Sequence, residues 1–261
     1  MGKAERGNGK SEKDNHFCFL FVLFLTLLAS RSSLLALDSE IGYEYWNMSF
    51  FLPSRNYRAR FENQEEFGSN YVEYLRTHRF KRIDNTYHIG YTGRQKSWGW
   101  DFKYGFTPKA EIMYRQMSEL IFYLPSPGFR MEPFARGNYR RFTGAKVKTT
   151  EFGLRWVPME GWDATGRWGR ISTDLSDASV KNSADSTSYQ LGYMFSAAIR
   201  LYAFQAAWRE FFDSGNPLNP GEYGITEKGG GFGWILDKGV RFNGYSSVER
   251  RSNNSFIKKY G

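Results

Sequence analysis

From residue 37 onward, apolar and polar residues alternate with a period of two, the pattern of a strand whose two faces meet different surroundings. The clearest run is Trp98-Gly-Trp-Asp-Phe-Lys-Tyr-Gly-Phe106: every even position is aromatic, and the odd ones are Gly99, Asp101, Lys103 and Gly105. Tyr87, Ile89 and Tyr91 alternate with His88, Gly90 and Thr92, and Phe152, Leu154 and Trp156 with Glu151, Gly153 and Arg155. Similar runs occupy 162–168, 189–195 and 231–236. The pattern predicts strands near 41–48, 56–63, 69–77, 85–94, 98–106, 110–118, 131–142, 147–157, 162–172, 188–196, 199–209, 223–236 and 240–250, with a last piece from about 256. Segments 69–80 and 110–124 are ambiguous, because Tyr71, Tyr74, Leu75 and His78 would also line one face of a helix. They are read here as strands.

Tight turns are expected at Phe106-Thr-Pro-Lys109, Val157-Pro-Met-Glu-Gly161, Phe195-Ser-Ala-Ala198 and Leu236-Asp-Lys-Gly239. Long polar loops are expected at Asp174–Ser188, rich in Ser, Asp and Asn, and at Asp213–Gly221, with Pro217 and Pro220. Short turns at one end and long loops at the other are the organisation of an up-and-down barrel.

The two faces decide which solvent each sees. The non-aromatic face carries Arg58, Arg60, Asp101, Lys103, Arg155, Asp163 and Arg167, too much charge for a dry core. These seven are candidates to line a wet lumen. Rings gather toward strand ends, as Trp and Tyr do at the two interfaces of a membrane. Trp98, Trp100, Tyr104, Trp156, Trp162, Trp168, Trp208 and Trp234 are the candidates for such a girdle. The fold class expected is all-β: an antiparallel up-and-down transmembrane β-barrel of about 12–14 strands, at residues 37–261. The competing reading is a soluble secreted or periplasmic sugar-binding β-protein, in which the same rings are core and sugar-stacking surface.

The segment before residue 37 reads as an address. Residues 1–16 are polar with a basic bias from Lys3, Arg6, Lys10 and Lys13, and Phe17–Ala29 is an uncharged run. Thirteen residues make ~20 Å of helix, short of a bilayer span. Ser30, Ser32, Ser33 and Ala36 then offer small residues to a peptidase, so 1–36 is read as a secretory signal peptide, an uncleaved anchor being the alternative. Cys18 stands at the start of the apolar run rather than after it, which argues against a lipoprotein anchor.

Composition narrows the chemistry. The 261 residues include 36 Lys+Arg, 27 Asp+Glu and a single Cys, so a disulfide scaffold and a Cys-ligated metal are excluded. Beyond residue 36 the histidines are His78 and His88 only. Neither a metal site nor a cofactor is expected. The run Gly229-Gly-Gly-Phe-Gly233 is not followed by a helix pattern, so it is read as a place where rings pack over bare backbone, not as a phosphate loop. His88 with Ser97 or Asp101 is the conceivable catalytic dyad, the basis of an alternative reading as a lipid-modifying barrel enzyme. The expectation adopted is no catalysis. Basic residues are dispersed along strands, with Arg140-Arg141, Arg250-Arg251 and Lys258-Lys259 as pairs only, so nucleic acid is not an expected partner.

These features together resemble a bacterial outer-membrane β-barrel, of the kind found in Gram-negative cells. Thr150–Arg170 resembles the strand–turn–strand unit of the β-barrel porin family that includes EpsL-like proteins of exopolysaccharide clusters. Lys228–Asn253 resembles that family's hairpin ending in an Arg-Arg loop. A second resemblance, to YaiO-type barrels, rests on Ile41-Gly-Tyr-Glu-Tyr45 and on Phe129–Trp156. The resemblance implies export to the outer membrane and contact with its lipid, with lipopolysaccharide and with the barrel-assembly machinery. It also implies a passive role: small pore, structural barrel, or accessory to surface-polysaccharide export. Barrels of this kind usually end on a terminal aromatic. Here Tyr260 is penultimate, and a shortened last strand is expected.

Overall fold

The computed structural model describes residues 37–48, 53–126, 130–175, 181–213, 216–236 and 241–261. The expected signal peptide lies outside these residues. The first seven strands are β1 (Leu37–Met48), β2 (Ser54–Glu65), β3 (Gly68–Arg79), β4 (Arg82–Arg94), β5 (Gly99–Phe106), β6 (Gln116–Tyr123) and β7 (Met131–Arg141). They are followed by β8 (Ala145–Trp156), β9 (Trp162–Leu175), β10 (Lys181–Met194), β11 (Ile199–Asp213), β12 (Asn216–Ile235), β13 (Arg241–Arg251) and β14 (Phe256–Tyr260). Each pairs antiparallel with its sequence neighbours, and β14 returns to β1, closing a 14-strand barrel. Apart from 110–118, the segments read as strands are strands, including 69–77, where the helical spacing is overridden by ladders to β2 and β4. The closing seam is short: β1 and β14 share four register pairs, Tyr45↔Tyr260 through Met48↔Ile257, against ten between β1 and β2.

The connections depart from expectation. The polar stretch Asp174–Ser188 is mostly strand, since β9 runs to Leu175 and β10 starts at Lys181, with Lys181 opposite Asp174 and Ser186 opposite Gly169. Small polar residues read as loop, yet cross-strand pairing carries them into the wall. Asp213–Gly221 likewise falls largely within β11 and β12, its prolines lying where that ladder shifts register. The expected turn at 106–109 is instead the start of a nine-residue connection, 107–115, so the strand expected at 110–118 begins only at Gln116. Short connections occur at both ends of the barrel, not at one.

Register fixes the two faces. Arg60, Glu73, His88 and Gly105 stand opposite one another across β2–β5, and Met117, Arg140, Val147 and Thr173 continue the same inner row across β6–β9. On the outer face Tyr74, Tyr87 and Phe106 form a ribbon, each neighbouring pair with ring centroids 5.5 Å apart. Outward apolar residues are widely exposed, among them Ile41 at 89% and Tyr189 at 62%. They gather toward the end where β1 begins, called here the near end. Toward the far end the outer face of the wall turns polar and basic, with Lys146, Lys148, Arg170, Arg209, Lys228 and Arg250 exposed. The wall is uneven: at ~3.3 Å per residue, the 20 residues of β12 trace ~66 Å and the eight of β5 ~26 Å. The cluster of buried apolar residues, Tyr114, Met117, Phe142, Ala145 and Val147, lies inside the barrel at the far end.

Candidate functional site: the barrel lumen

The lumen has a packed half and an open half. In the packed half, β1–β5 bring opposite charges face to face. Arg58 pairs with Glu40, and Arg60 pairs with Glu62 at 2.7 Å while lying 3.8 Å over the Tyr71 ring. Glu73 takes Lys103 Nζ at 3.1 Å. His88 Nδ1 lies 2.6 Å from Glu73 Oε1, a close pair whose angle is off the line of a hydrogen bond. The other ring nitrogen, Nε2, is hydrogen-bonded to the Tyr114 hydroxyl. Gly105 makes room for this ring, since a Cβ there would run into the His88 side chain.

Tyr114 belongs to the 107–115 connection, which folds into the barrel mouth instead of standing above it. The Asp84 carboxylate, 1% exposed on β4, accepts the backbone N–H groups of Glu111 (3.1 Å), Ile112 (2.7 Å) and Met113 (2.6 Å). Thr107 and Thr86 share a hydroxyl hydrogen bond at 2.8 Å. Ile112 is buried, and Met113 packs on the Tyr114–Phe142 cluster with Ile171 and Leu175. Three convergent N–H groups on one carboxylate form an anchor of charge-assisted bonds. The result is an internal plug at the far end. Burial pushes the Tyr114 phenol up, so it stays a neutral hydrogen-bonding group.

The open half lies along β5–β11. A cavity of about 690 Å³ at the near end is lined by Arg94, Trp98, Tyr123, Glu132, Arg155 and their neighbours. A second, of about 440 Å³, lies toward the far end beside the plug and is lined by Arg140, Thr149, Ser186, Ser188, Phe204 and Trp208, among others. The two share Arg136, Thr165 and Arg167, which form the waist between them. Arg136 is held between two strands, Nε and Nη2 on Glu119 Oε2 (2.9 and 2.5 Å) and Nη1 on Glu151 Oε2 (2.8 Å). Arg167 has no ion pair among the described residues and lies 5.7 Å from the Phe134 ring centroid. The waist therefore presents one neutralised and one unopposed guanidinium to whatever passes.

All seven lumen candidates project from the inner face, but they divide between the halves. Arg58, Arg60, Asp101 and Lys103 are tied into the packed side, Asp101 accepting from the Tyr71 hydroxyl at 3.4 Å. Asp163 is bound by Arg200 at 2.7 Å. Arg155 and Arg167 line the open route. Among the girdle candidates, Trp100, Tyr104, Trp156, Trp162, Trp168 and Trp234 occupy outward register positions. Trp98 lies in the 95–98 connection and lines the near-end cavity. Trp208 faces inward onto the far cavity, its indole N–H on Glu210 at 3.3 Å, so it is a lumen residue and not a girdle one. The conceivable dyad does not assemble: the partners of His88 are Glu73 and Tyr114, not Ser97 or Asp101, and neither lumen cavity is lined by His88.

Sequence reasoning missed Asp84, Glu73, Tyr114, Arg136 and Arg140. Parity along 131–142 held a signal for two of them, because the inner set Glu132, Phe134, Arg136, Asn138 and Arg140 shares one face of that strand. A further cluster was not foreseen at the seam. There Lys259 Nζ meets Glu227 (3.1 Å) and Glu249 (2.9 Å) and lies 4.9 Å from the Trp46 ring centroid. Within 229–233, Gly229 and Gly231 behave as expected, with Phe204 Cζ 2.8 Å from a Cβ at Gly229 and the Tyr202 hydroxyl 2.6 Å from one at Gly231, whereas Gly230 faces backbone and Gly233 the Asn243 side chain.

A charged interior with open cavities inside an apolar belt is the reverse of a soluble domain, where exposed apolar patches of this extent are not tolerated. It defines an antiparallel barrel built for an apolar surround. Solved structures with this fold are bacterial outer-membrane barrels and channels. They include in-vitro folded OmpT, an outer membrane protein of Vibrio cholerae, at 10% identity and TM-score 0.52 over 86% of this chain and 95% of that one. Another is the CymD monoaromatic hydrocarbon channel, at 7% identity and TM-score 0.55 over 86% of each chain. At such identities the likeness is one of fold. No protein-family model and no curated protein matches the chain.

Proposed function

We propose that the protein is a passive outer-membrane channel for small solutes with a modest preference for anions, its near end facing the periplasm. The observation that carries this reading is the pair of lumen cavities meeting at Arg136 and Arg167. Charge along that route is nearly balanced, Arg94, Arg136, Arg140, Arg155 and Arg167 facing Glu119, Glu132, Glu151 and Glu210, so the preference is small. The exposed basic collar above the apolar belt suits the phosphates of lipopolysaccharide. The fold, with its apolar outside, supports an outer-membrane location and a need for the barrel-assembly machinery.

The test is reconstitution of the full chain in planar bilayers. A salt gradient should give a reversal potential of anionic sign, and Arg155→Glu with Arg167→Glu should turn it cationic. A silent bilayer with correctly folded protein, or an unchanged sign in the variants, overturns the reading. A narrower reading is an accessory to surface-polysaccharide export. It is favoured by the two hairpins that resemble the EpsL-like family, which are the β8–β9 and β12–β13 walls of this barrel. Loss of surface polysaccharide on deleting the gene is its expected signature, and unaltered polysaccharide removes it.

A further inference from the structure

We propose that the far lumen cavity is a binding subsite for a hydroxylated cyclic carboxylate of monosaccharide size, a uronic acid. The proposal rests on the channel reading for access and on the cavity itself for chemistry. Its volume of about 440 Å³ is in the range of small-molecule sites.

Three features converge there. The first is a cation without an ion-pair partner. Arg140 donates from Nε to Asn138 Oδ1 at 2.8 Å, and no carboxylate lies within ion-pair reach of it among the described residues. Of the nearby acids, Glu119 and Glu151 hold Arg136, and Glu210, whose Oε1 accepts the Trp208 indole N–H, acts on Arg140 only from beyond ion-pair distance. A planar guanidinium with free N–H groups matches a carboxylate edge.

The second feature is a hydroxyl without a partner. Ser186 Oγ is buried on the cavity wall and has no hydrogen-bond partner among the described residues. Buried hydroxyls are rarely left so. Ser188 and Gln190 continue the same inner row of β10, with Thr149 across the cavity, giving a line of groups that both donate and accept. A ligand bearing several hydroxyls satisfies such a line, whereas chloride or acetate does not. The third feature is apolar: the Phe204 and Trp208 rings on β11 form part of the same wall. A pyranose ring presents C–H groups to such rings and its hydroxyls at its edge.

The test uses purified full-length protein with galacturonate as probe and galactose, acetate and benzoate as comparisons at matched ionic strength. Binding is followed by tryptophan fluorescence, with Trp208→Phe identifying the reporter, and by block of the single-channel current. Galacturonate is expected to bind saturably, at least ~10-fold tighter than each comparison, from one charge-assisted bond more than galactose and several hydroxyl bonds more than the acids. Arg140→Gln should weaken it by ~10-fold or more and Ser186→Ala by a smaller factor, both variants keeping the gel-mobility shift on boiling. If Arg140→Gln fails to fold, Ser186→Ala carries the test alone. Binding without conductance refutes the channel reading and upholds the subsite. Conductance with galacturonate indistinguishable from galactose, or matched by benzoate, overturns the subsite and leaves the channel.

Discussion

Removing the carboxylate of Asp84 should free the 107–115 plug without opening the barrel. That carboxylate is 1% exposed and is the common acceptor for three backbone N–H groups, at 2.6–3.1 Å. In Asp84→Ala those donors lose a charged partner, and a buried donor left unsatisfied costs about 1–3 kcal/mol. Part of this is recovered, because the connection can swing out and hydrate its N–H groups. A net local loss of about 3 kcal/mol follows, which is ~100-fold in the equilibrium between docked and released connection. The strand ladders do not depend on Asp84, so the loss stays local. Amide hydrogen exchange on the detergent-solubilised protein reads it directly: peptides covering Glu111–Met113 should exchange ~100-fold faster, while β8–β10 peptides keep their protection. Channel conductance should rise in the same variant, as the far cavity loses its neighbouring obstruction. Exchange of Glu111–Met113 unchanged from the parent would refute the anchoring role of the carboxylate.

Other expectations follow from the packed side and the seam. Tyr114→Phe removes one hydrogen bond to His88 and should speed exchange of the connection by about fivefold, in line with ~1 kcal/mol. Gly105→Ala sets a methyl against the His88 ring and should destabilise the barrel by about 1–3 kcal/mol, measured by urea unfolding in lipid. Lys259→Met leaves Glu227 and Glu249 facing each other inside the wall and should cost about 3–5 kcal/mol, seen as a lower temperature for loss of the compact gel band. Arg60→Glu, on the packed side, should lower stability yet leave the sign of ion preference unaltered, unlike Arg167→Glu.

Strand positions were legible because a closed wall between lipid and water imposes period-two alternation, and Trp98–Phe106 shows it without interruption. Parity then sorted the inner charges from the outer rings. What alternation cannot carry is distance across the lumen. Asp84 and Met113 are 29 residues apart and on no shared ladder, and nothing local marks either as an anchor. The same limit hid the plug: Phe106-Thr-Pro-Lys109 has ordinary turn chemistry, and only the inward pull on Glu111–Met113 extends it. Trp208 was misplaced because ring type was taken as an interface signal, although its parity matches Phe204 and Glu210 on the inner face. The polar stretch 181–188 was read by composition, which fails where a strand rises above the apolar belt and both of its faces meet water.

The short seam has a consequence for the time course of assembly. Every other ladder joins strands adjacent in the chain, whereas Tyr45 and Tyr260 meet across more than two hundred residues. In the unfolded chain, bringing such distant ends together carries about 3 kcal/mol more chain entropy than closing a hairpin of ~10 residues, so the hairpins come first. Four register pairs and the contact of Lys259 with the Trp46 ring are the return for that last step. The cylinder therefore closes late, along a line that few contacts hold.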